Sequence, residues 1–336
     1  MMLVDTFGRT VNYLRMSVTD RCDFRCVYCM AEHMQFMPRQ QLLTLEELFK
    51  LGQVFVSLGV KKIRISGGEP LIRCNVGSLL NALGTLRSEG LKELTLTTNG
   101  SQLRHYAQAI HAAGIRRINV SLDSLQPKRF RALTRTGDLK QVLGGIAAAQ
   151  KLGIQVKINS VMMRNRNVDE LIDLVQFAQS QSMDISFIEE MPLGHIVAHQ
   201  RQEEFVSSAE LRAMLSDVMS LQPVALNSGR QQDVCDGPSR YWRVGRSATR
   251  VGFISPHSEN FCSQCNRVRL TADGRLLLCL GNEHSVDLKA LIRNTSAPKD
   301  ALRQAIAESM SIKPEKHEFS LDEPPQIVRF MNSTGG

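Results

Sequence analysis

The chain has 336 residues, with 41 Lys and Arg against 33 Asp and Glu and a formal charge of +8. That length can bury one large core, or an ordinary core plus a smaller appended region, without disulfides; the charge suits a phosphate-rich ligand, a nucleic acid or an anionic surface as well as a merely basic exterior. No uncharged apolar run reaches about 18 residues, and Met1 to Thr10 lacks the order of a secretory signal, so no membrane span and a soluble, cytoplasmic protein are expected.

From about Tyr13 to Glu190, short β-branched or apolar runs alternate with longer helical patterns, the signature of stacked βα units on a parallel sheet. Strands are expected at Tyr13 to Val18, Lys62 to Ser66, Glu93 to Thr97, Arg117 to Ser121, Gln155 to Ser160 and Asp184 to Glu189. Helices are expected at Leu45 to Leu58, Ser78 to Ser88, Leu103 to Ala113, Leu139 to Lys151, Val168 to Gln181 and Ser208 to Ser220. Thr44 and Glu47 have capping-box spacing before the first of these. The fold class is α/β, a partial (βα)6 TIM-like barrel over residues 1–221, in which residues at the carboxyl ends of the strands share one mouth.

Gln222 to Arg240 is polar and turn-rich and reads as a connecting loop. The texture then changes. Tyr241 to Val244, Arg250 to Ile254, Arg267 to Thr271 and Leu276 to Cys279 read as short strands, with a hairpin turn at Ala272-Asp273-Gly274. Residues 222–336 are therefore expected to form a smaller α+β region.

Six of the eight cysteines fall into two groups, Cys22/Cys26/Cys29 after the first strand and Cys262/Cys265/Cys279 in the carboxyl-terminal region; Cys74 and Cys235 stand alone. In a reducing compartment such groups point to metal rather than disulfides. Three cysteines on a 4Fe-4S cube leave one iron open to a small molecule, whereas structural zinc takes four ligands. His33 could complete zinc at the first group, and His257 or His284 at the second. Ser66-Gly67-Gly68-Glu69-Pro70 follows the second strand; its glycines admit a close backbone approach and its carboxylate can receive an ammonium group.

The run Thr19-Asp20-Arg21-Cys22-Asp23-Phe24-Arg25-Cys26-Val27-Tyr28-Cys29 resembles the cluster loop of radical S-adenosylmethionine enzymes, which carry a Gly-Gly-Glu-Pro run at the corresponding later place. Adding Tyr13-Leu14-Arg15-Met16-Ser17, Asn119 to Leu125, Val156-Lys157-Ile158-Asn159, Phe261 to Leu270, Leu278-Cys279-Leu280 and the final Gly335-Gly336, nearly the whole chain resembles the GTP 3′,8-cyclase family of molybdenum cofactor biosynthesis.

The resemblance implies two 4Fe-4S clusters, S-adenosyl-L-methionine, and GTP held between the clusters. A hydrogen is taken from ribose carbon 3′ and carbon 3′ is joined to carbon 8 of guanine, giving 3′,8-cyclo-7,8-dihydro-GTP. By the same resemblance, Cys22, Cys26, Cys29, Cys262, Cys265 and Cys279 are metal ligands. Tyr28, Gly68, Ser121 and Met191 contact S-adenosylmethionine; Arg15, Arg64, Thr97, Lys157, Arg267 and Arg269 contact GTP; Gly335 and Gly336 thread into the site. The radical chemistry belongs to the cofactor, so no side chain is assigned as catalytic. Partners implied are an electron donor protein, the cyclic pyranopterin monophosphate synthase that takes the product, and a second copy in a homodimer.

Two departures from the family pattern are the missing proline in Met30-Ala31-Glu32-His33 and the acid in Ile188-Glu189-Glu190-Met191. The rival readings are a peptide-modifying radical enzyme, which usually carries more carboxyl-terminal cysteines, and a zinc-ribbon RNA-binding protein. With 5% aromatic residues and a single Trp, stacking platforms for nucleic acid are scarce, and none is expected to bind.

Overall fold

The structure, a computed structural model, describes residues 2–196, 200–224, 237–294, 299–320 and 327–335. Most of the connecting loop after Gln222, together with Cys235 and Gly336, lies outside the described residues.

The strands are β1 Leu3–Val4, β2 Thr10–Val11, β3 Tyr13–Ser17, β4 Lys62–Ser66, β5 Glu93–Thr98, β6 Arg117–Ser121, β7 Gln155–Val161, β8 Asp184–Ile188, β9 Leu221–Pro223, β10 Arg240–Val244, β11 Arg250–Ile254, β12 Arg267–Leu270, β13 Arg275–Leu277 and β14 Ser285–Asp287. The α-helices are α1 Leu45–Ser57, α2 Val76–Thr85, α3 Leu103–Ala112, α4 Pro127–Thr134, α5 Leu139–Lys151, α6 Leu171–Ser180, α7 Arg201–Glu204, α8 Ser208–Ser216, α9 Leu288–Arg293, α10 Lys299–Ser309 and α11 Met331–Thr334. The expected barrel strands are all present, shifted by no more than a residue at an end.

Among the described residues, β1 pairs with β2 alone, and the rest form one open sheet in the order β14-β13-β12-β3-β4-β5-β6-β7-β8-β11-β10-β9. From β12 to β11 every neighbouring pair is parallel, while the outer strands attach antiparallel. The sheet is thus a partial barrel of βα units that does not close. Strands from the carboxyl-terminal region extend it at both edges: β12 lies beside β3 and β11 beside β8.

Parallel strands covered on both faces usually read as unbroken apolar runs. Here they alternate. Leu14, Met16, Ile63, Ile65, Leu94, Leu96, Ile118, Val120, Ile158, Ile185, Phe187, Val251, Phe253, Val268 and Leu270 belong to the main core, which the helices complete with residues such as Leu48, Leu51 and Phe55. The intervening positions, kept on one face by the register, carry Arg15, Lys62, Arg64, Arg117, Lys157, Arg250, Arg267 and Arg269 against the acids Glu93 and Asp184. A period of two puts hydrocarbon outward under the helices and charge inward.

The first helix starts where the sequence places it. Thr44 Oγ1 accepts from the Glu47 amide at 3.2 Å, and the Glu47 carboxylate accepts from the Thr44 amide at 2.7 Å. Replacing Thr44 with Ala is expected to cost about 1 kcal/mol of stability in urea denaturation, with the cluster-loop geometry unchanged.

Candidate active site

The first cysteine triad lies in the loop leaving the carboxyl end of β3. Asn99 Nδ2 reaches Cys22 Sγ at 3.7 Å and donates to Asp23 at 2.7 Å; Asp23 also accepts from Ser101 Oγ at 2.6 Å. The Phe24 amide donates to Cys22 Sγ at 3.4 Å. Burial pushes all three thiols up, Cys29 to about 12, and neighbouring carboxylates and thiols add to the shift. Ligation to a metal would remove those protons.

Gly67 and Gly68 are needed for a close approach, and the partner is the cluster loop itself. A Cβ on Gly68 would sit 2.1 Å from the Arg21 carbonyl oxygen, and one on Gly67 2.6 Å from that of Thr19. The Gly68 amide donates to Thr19 O and the Glu69 amide to Arg21 O, both at 2.8 Å. Glu69 is fully buried and accepts from Leu71 N at 2.9 Å, Thr98 Oγ1 at 2.8 Å and Asn99 N at 2.6 Å. Its carboxylate ties this loop to the end of β5. Burial nevertheless holds its pKa up at about 7.

The other residues expected at the cofactor sit at carboxyl ends of strands. Ser121 ends β6 and Met191 follows β8. Tyr28 donates its hydroxyl to Asp123 at 2.7 Å, and Asp123, raised by burial to about 6, also accepts from the Val161 amide at 2.8 Å. Both acids of the Ile188-Glu189-Glu190-Met191 stretch have structural partners: Glu189 accepts from the Ser208, His257 and Ser258 amides, and Glu190 pairs with Arg201 at 2.7 Å.

The residues expected at GTP share the inner face. Arg269, Arg15 and Arg64 stand side by side across β12, β3 and β4. Arg64 Nη1 donates to Thr97 Oγ1 at 3.1 Å and its Nε to the Tyr13 hydroxyl at 2.6 Å. Lys157, also buried, donates to the Tyr241 hydroxyl at 2.9 Å. Tyr13 was not singled out from the sequence as a ligand contact, although its spacing from Arg15 puts it on the same face. Burial alone would raise its phenol, but Arg64, Arg15, Lys62 and Arg267 pull it down to about 7.

The second triad is at the other end of the same strands. Cys262 and Cys265 precede β12, and Cys279 follows β13, which runs back antiparallel to β12. Cys265 is lowered to about 7, because Arg267 and Lys313 outweigh its burial. His257 Nε2 lies 2.9 Å from the Glu190 carbonyl oxygen. The strand residues between the two triads, Tyr13 to Ser17, span about 17 Å at ~3.3 Å per residue.

The carboxyl-terminal helix α11 packs over the first triad. The Asn332 backbone draws the Cys29 thiol down against its burial, and the Asn332 side chain donates to Asp20 O at 2.7 Å. Gly335, at φ +77°, offers its carbonyl to Arg269 Nη1 at 2.6 Å, and a Cβ there would meet Ser66 Oγ at 2.2 Å. Only glycine threads this gap.

Each triad offers three cysteine sulfurs, the donor type that holds iron–sulfur clusters. The buried atoms Asp20 Oδ1, Arg21 Nε, Ser66 Oγ and Asn332 Oδ1 lack hydrogen-bond partners and lie on the segments around the first triad, as expected where a polar ligand belongs.

Fold and site define a radical S-adenosylmethionine enzyme, which holds a 4Fe-4S cluster and S-adenosylmethionine: residues 16–178 match the Radical SAM superfamily and residues 183–319 match Molybdenum Cofactor Synthesis C. The fold is similar to that of Streptococcus suis SuiB, with TM-score 0.60 and 16% identity over 89% of this chain and 69% of that one. The GTP 3′,8-cyclase of Pseudomonas entomophila is 56% identical, covering 99% of this chain and 98% of that protein, and that of Saccharophagus degradans is 55% identical over 335 residues, again 99% and 98%. The chain belongs to the GTP 3′,8-cyclase family.

Replacing Gly68 with Ala forces the Arg21 carbonyl to move. It is expected to cost about 1–3 kcal/mol in chemical denaturation and to lower the iron bound at the first triad, measured by iron content after anaerobic reconstitution.

Proposed function

We propose that this chain converts GTP to 3′,8-cyclo-7,8-dihydro-GTP, with the nucleotide held inside the partial barrel between two 4Fe-4S clusters, one on Cys22, Cys26 and Cys29 and one on Cys262, Cys265 and Cys279. The observation that carries the reading is the in-register row Arg269, Arg15 and Arg64, its two outer members buried, lying on strands that have one cysteine triad at each end. Adjacent guanidinium groups on one face attract an anion, and a triphosphate supplies one without a Walker-type loop.

When bound, the first cluster and S-adenosylmethionine would supply the radical chemistry by which the hydrogen at ribose carbon 3′ is removed. Tyr28, Gly68, Ser121 and Met191 orient that cofactor at the carboxyl mouth. Arg15, Arg64, Thr97, Lys157, Arg267 and Arg269 hold GTP. The α11 tail, through Gly335, covers the mouth and excludes water. Residues 1–221 form the cofactor domain and 222–336 the region of the second cluster. The protein works in the cytoplasm with an electron donor protein, passes its product to a cyclic pyranopterin monophosphate synthase, and is a homodimer.

Incubating reduced protein with S-adenosylmethionine and GTP deuterated at carbon 3′ is expected to place deuterium in 5′-deoxyadenosine; cleavage supported only by a different substrate overturns the assignment. Lys157→Ala and Arg269→Ala are each expected to weaken GTP binding by about 1.5–3 kcal/mol, roughly 10- to 150-fold, with about eight irons per chain retained.

A pH dependence follows from Tyr13. Its folded value of about 7 lies below the ordinary 10 because it counters the surrounding cations. A bound triphosphate takes over that role and pushes the phenol back up, so binding takes up a proton above pH 7. GTP affinity is expected to fall by up to about tenfold per pH unit between pH 7 and 9 in calorimetry, and Tyr13→Phe is expected to flatten the slope.

A further inference from the structure

The two arms of the second triad are joined by a residue from outside the strands that carry them. Lys313 is buried, 3% exposed. Its Nζ donates to the Leu278 carbonyl at 2.7 Å and the Arg267 carbonyl at 3.2 Å, and lies 3.8 Å from Cys265 Sγ. Leu278 adjoins Cys279, and Arg267 is two residues past Cys265, so one ammonium group grips both ligand-bearing segments. The chain just beyond it is fixed as well. Arg9 donates to the Cys262 carbonyl at 2.7 Å and to the Pro314 and Glu315 carbonyls at 2.6 Å, and pairs with Asp5 at 2.6 Å.

A buried ammonium whose hydrogen bonds go to neutral carbonyls is balanced by the ligand sulfur beside it. A fixed cation beside a cluster sulfur favours the more negative, reduced state, since net charge and hydrogen bonds to sulfur set these potentials. Resting on the reading that Cys262, Cys265 and Cys279 hold a 4Fe-4S cluster, we propose that Lys313 is the positioning residue of that cluster: it joins the two arms of the triad and raises the cluster's reduction potential.

The test uses the full chain carrying Cys22→Ala, Cys26→Ala and Cys29→Ala, so that only the second cluster contributes to the spectrum. This background is expected to bind about four irons; none would remove the second cluster, and with it that part of the proposed function. Lys313→Met is then added and the potential measured by redox titration followed by electron paramagnetic resonance. The expected result is a shift to more negative potential, with Lys313→Arg closer to the parent. If Lys313→Met instead loses its iron while its far-ultraviolet dichroism matches the parent, retention of iron in Lys313→Arg supports the same role. Parental potential and iron content in Lys313→Met would overturn the role of Lys313 and leave the second cluster standing.

Discussion

Arg269, Arg15 and Arg64 occupy neighbouring positions on three parallel strands, and keeping like charges together inside the molecule is the constraint on which the rest of the interior depends. At roughly 5 Å and an effective dielectric of about 20, each adjacent pair of unit charges repels by about 3 kcal/mol. Glu93 answers Lys62 and Arg117 at 2.7 and 2.8 Å, and Asp184 answers Arg250 at 2.6 Å. Arg64 and Arg269 have weaker partners, a phenol, a hydroxyl and backbone carbonyls. Burial and like neighbours together hold Arg269 well below the ordinary guanidinium range.

That tension accounts for the contrast between the two triads. At the carboxyl end of the strands the first triad is set among Glu69, Asp23 and Asp123, which add to burial in pushing its thiols up. At the amino end Arg267 and Lys313 draw Cys265 down. One interior therefore sets the first triad among carboxylates and Cys265 among cations, while burial pushes Cys279 up. The tail carbonyl on Arg269 is a neutral acceptor, worth less to a buried guanidinium than a charged oxygen would be.

Legibility in the sequence followed local signal strength. Lys62–Ser66, Arg117–Ser121 and Arg250–Ile254 have the bounds expected, because each is a short alternating run closed by turn residues. The strands that went unanticipated, β1, β2, β9 and β14, have only two or three residues and are held by pairing rather than pattern. Helix α4 was hidden by the charges of Pro127-Lys128-Arg129-Phe130-Arg131, although Phe130 and Leu133 bury its apolar side. The cysteine spacing revealed the triads, but the reason for Gly68 did not follow from it: a glycine pair announces a close approach without naming the partner, which is the Arg21 carbonyl. Tyr13 and Lys313 were silent for a related reason. Each matters through neighbours distant in sequence, and only the register of β3 against β4 and β12, or the fold of the carboxyl-terminal segment, brings those neighbours in.

Parallel connectivity explains why the triads face each other along one interior. In a βα unit every loop that follows a strand opens at the same end, so the loop after β3 shares a mouth with Gly67, Ser121 and Met191. Because β12 is also parallel to β3, the residues that precede it must emerge at the opposite end. Cys262 and Cys265 precede it. The antiparallel return through β13 then carries Cys279 back to that same end, completing the triad without a second domain interface. Had β12 paired antiparallel to β3, Cys265 would enter at the mouth of the first triad, Arg267 and Arg269 would exchange levels, and the cationic row would lie beyond both triads instead of between them.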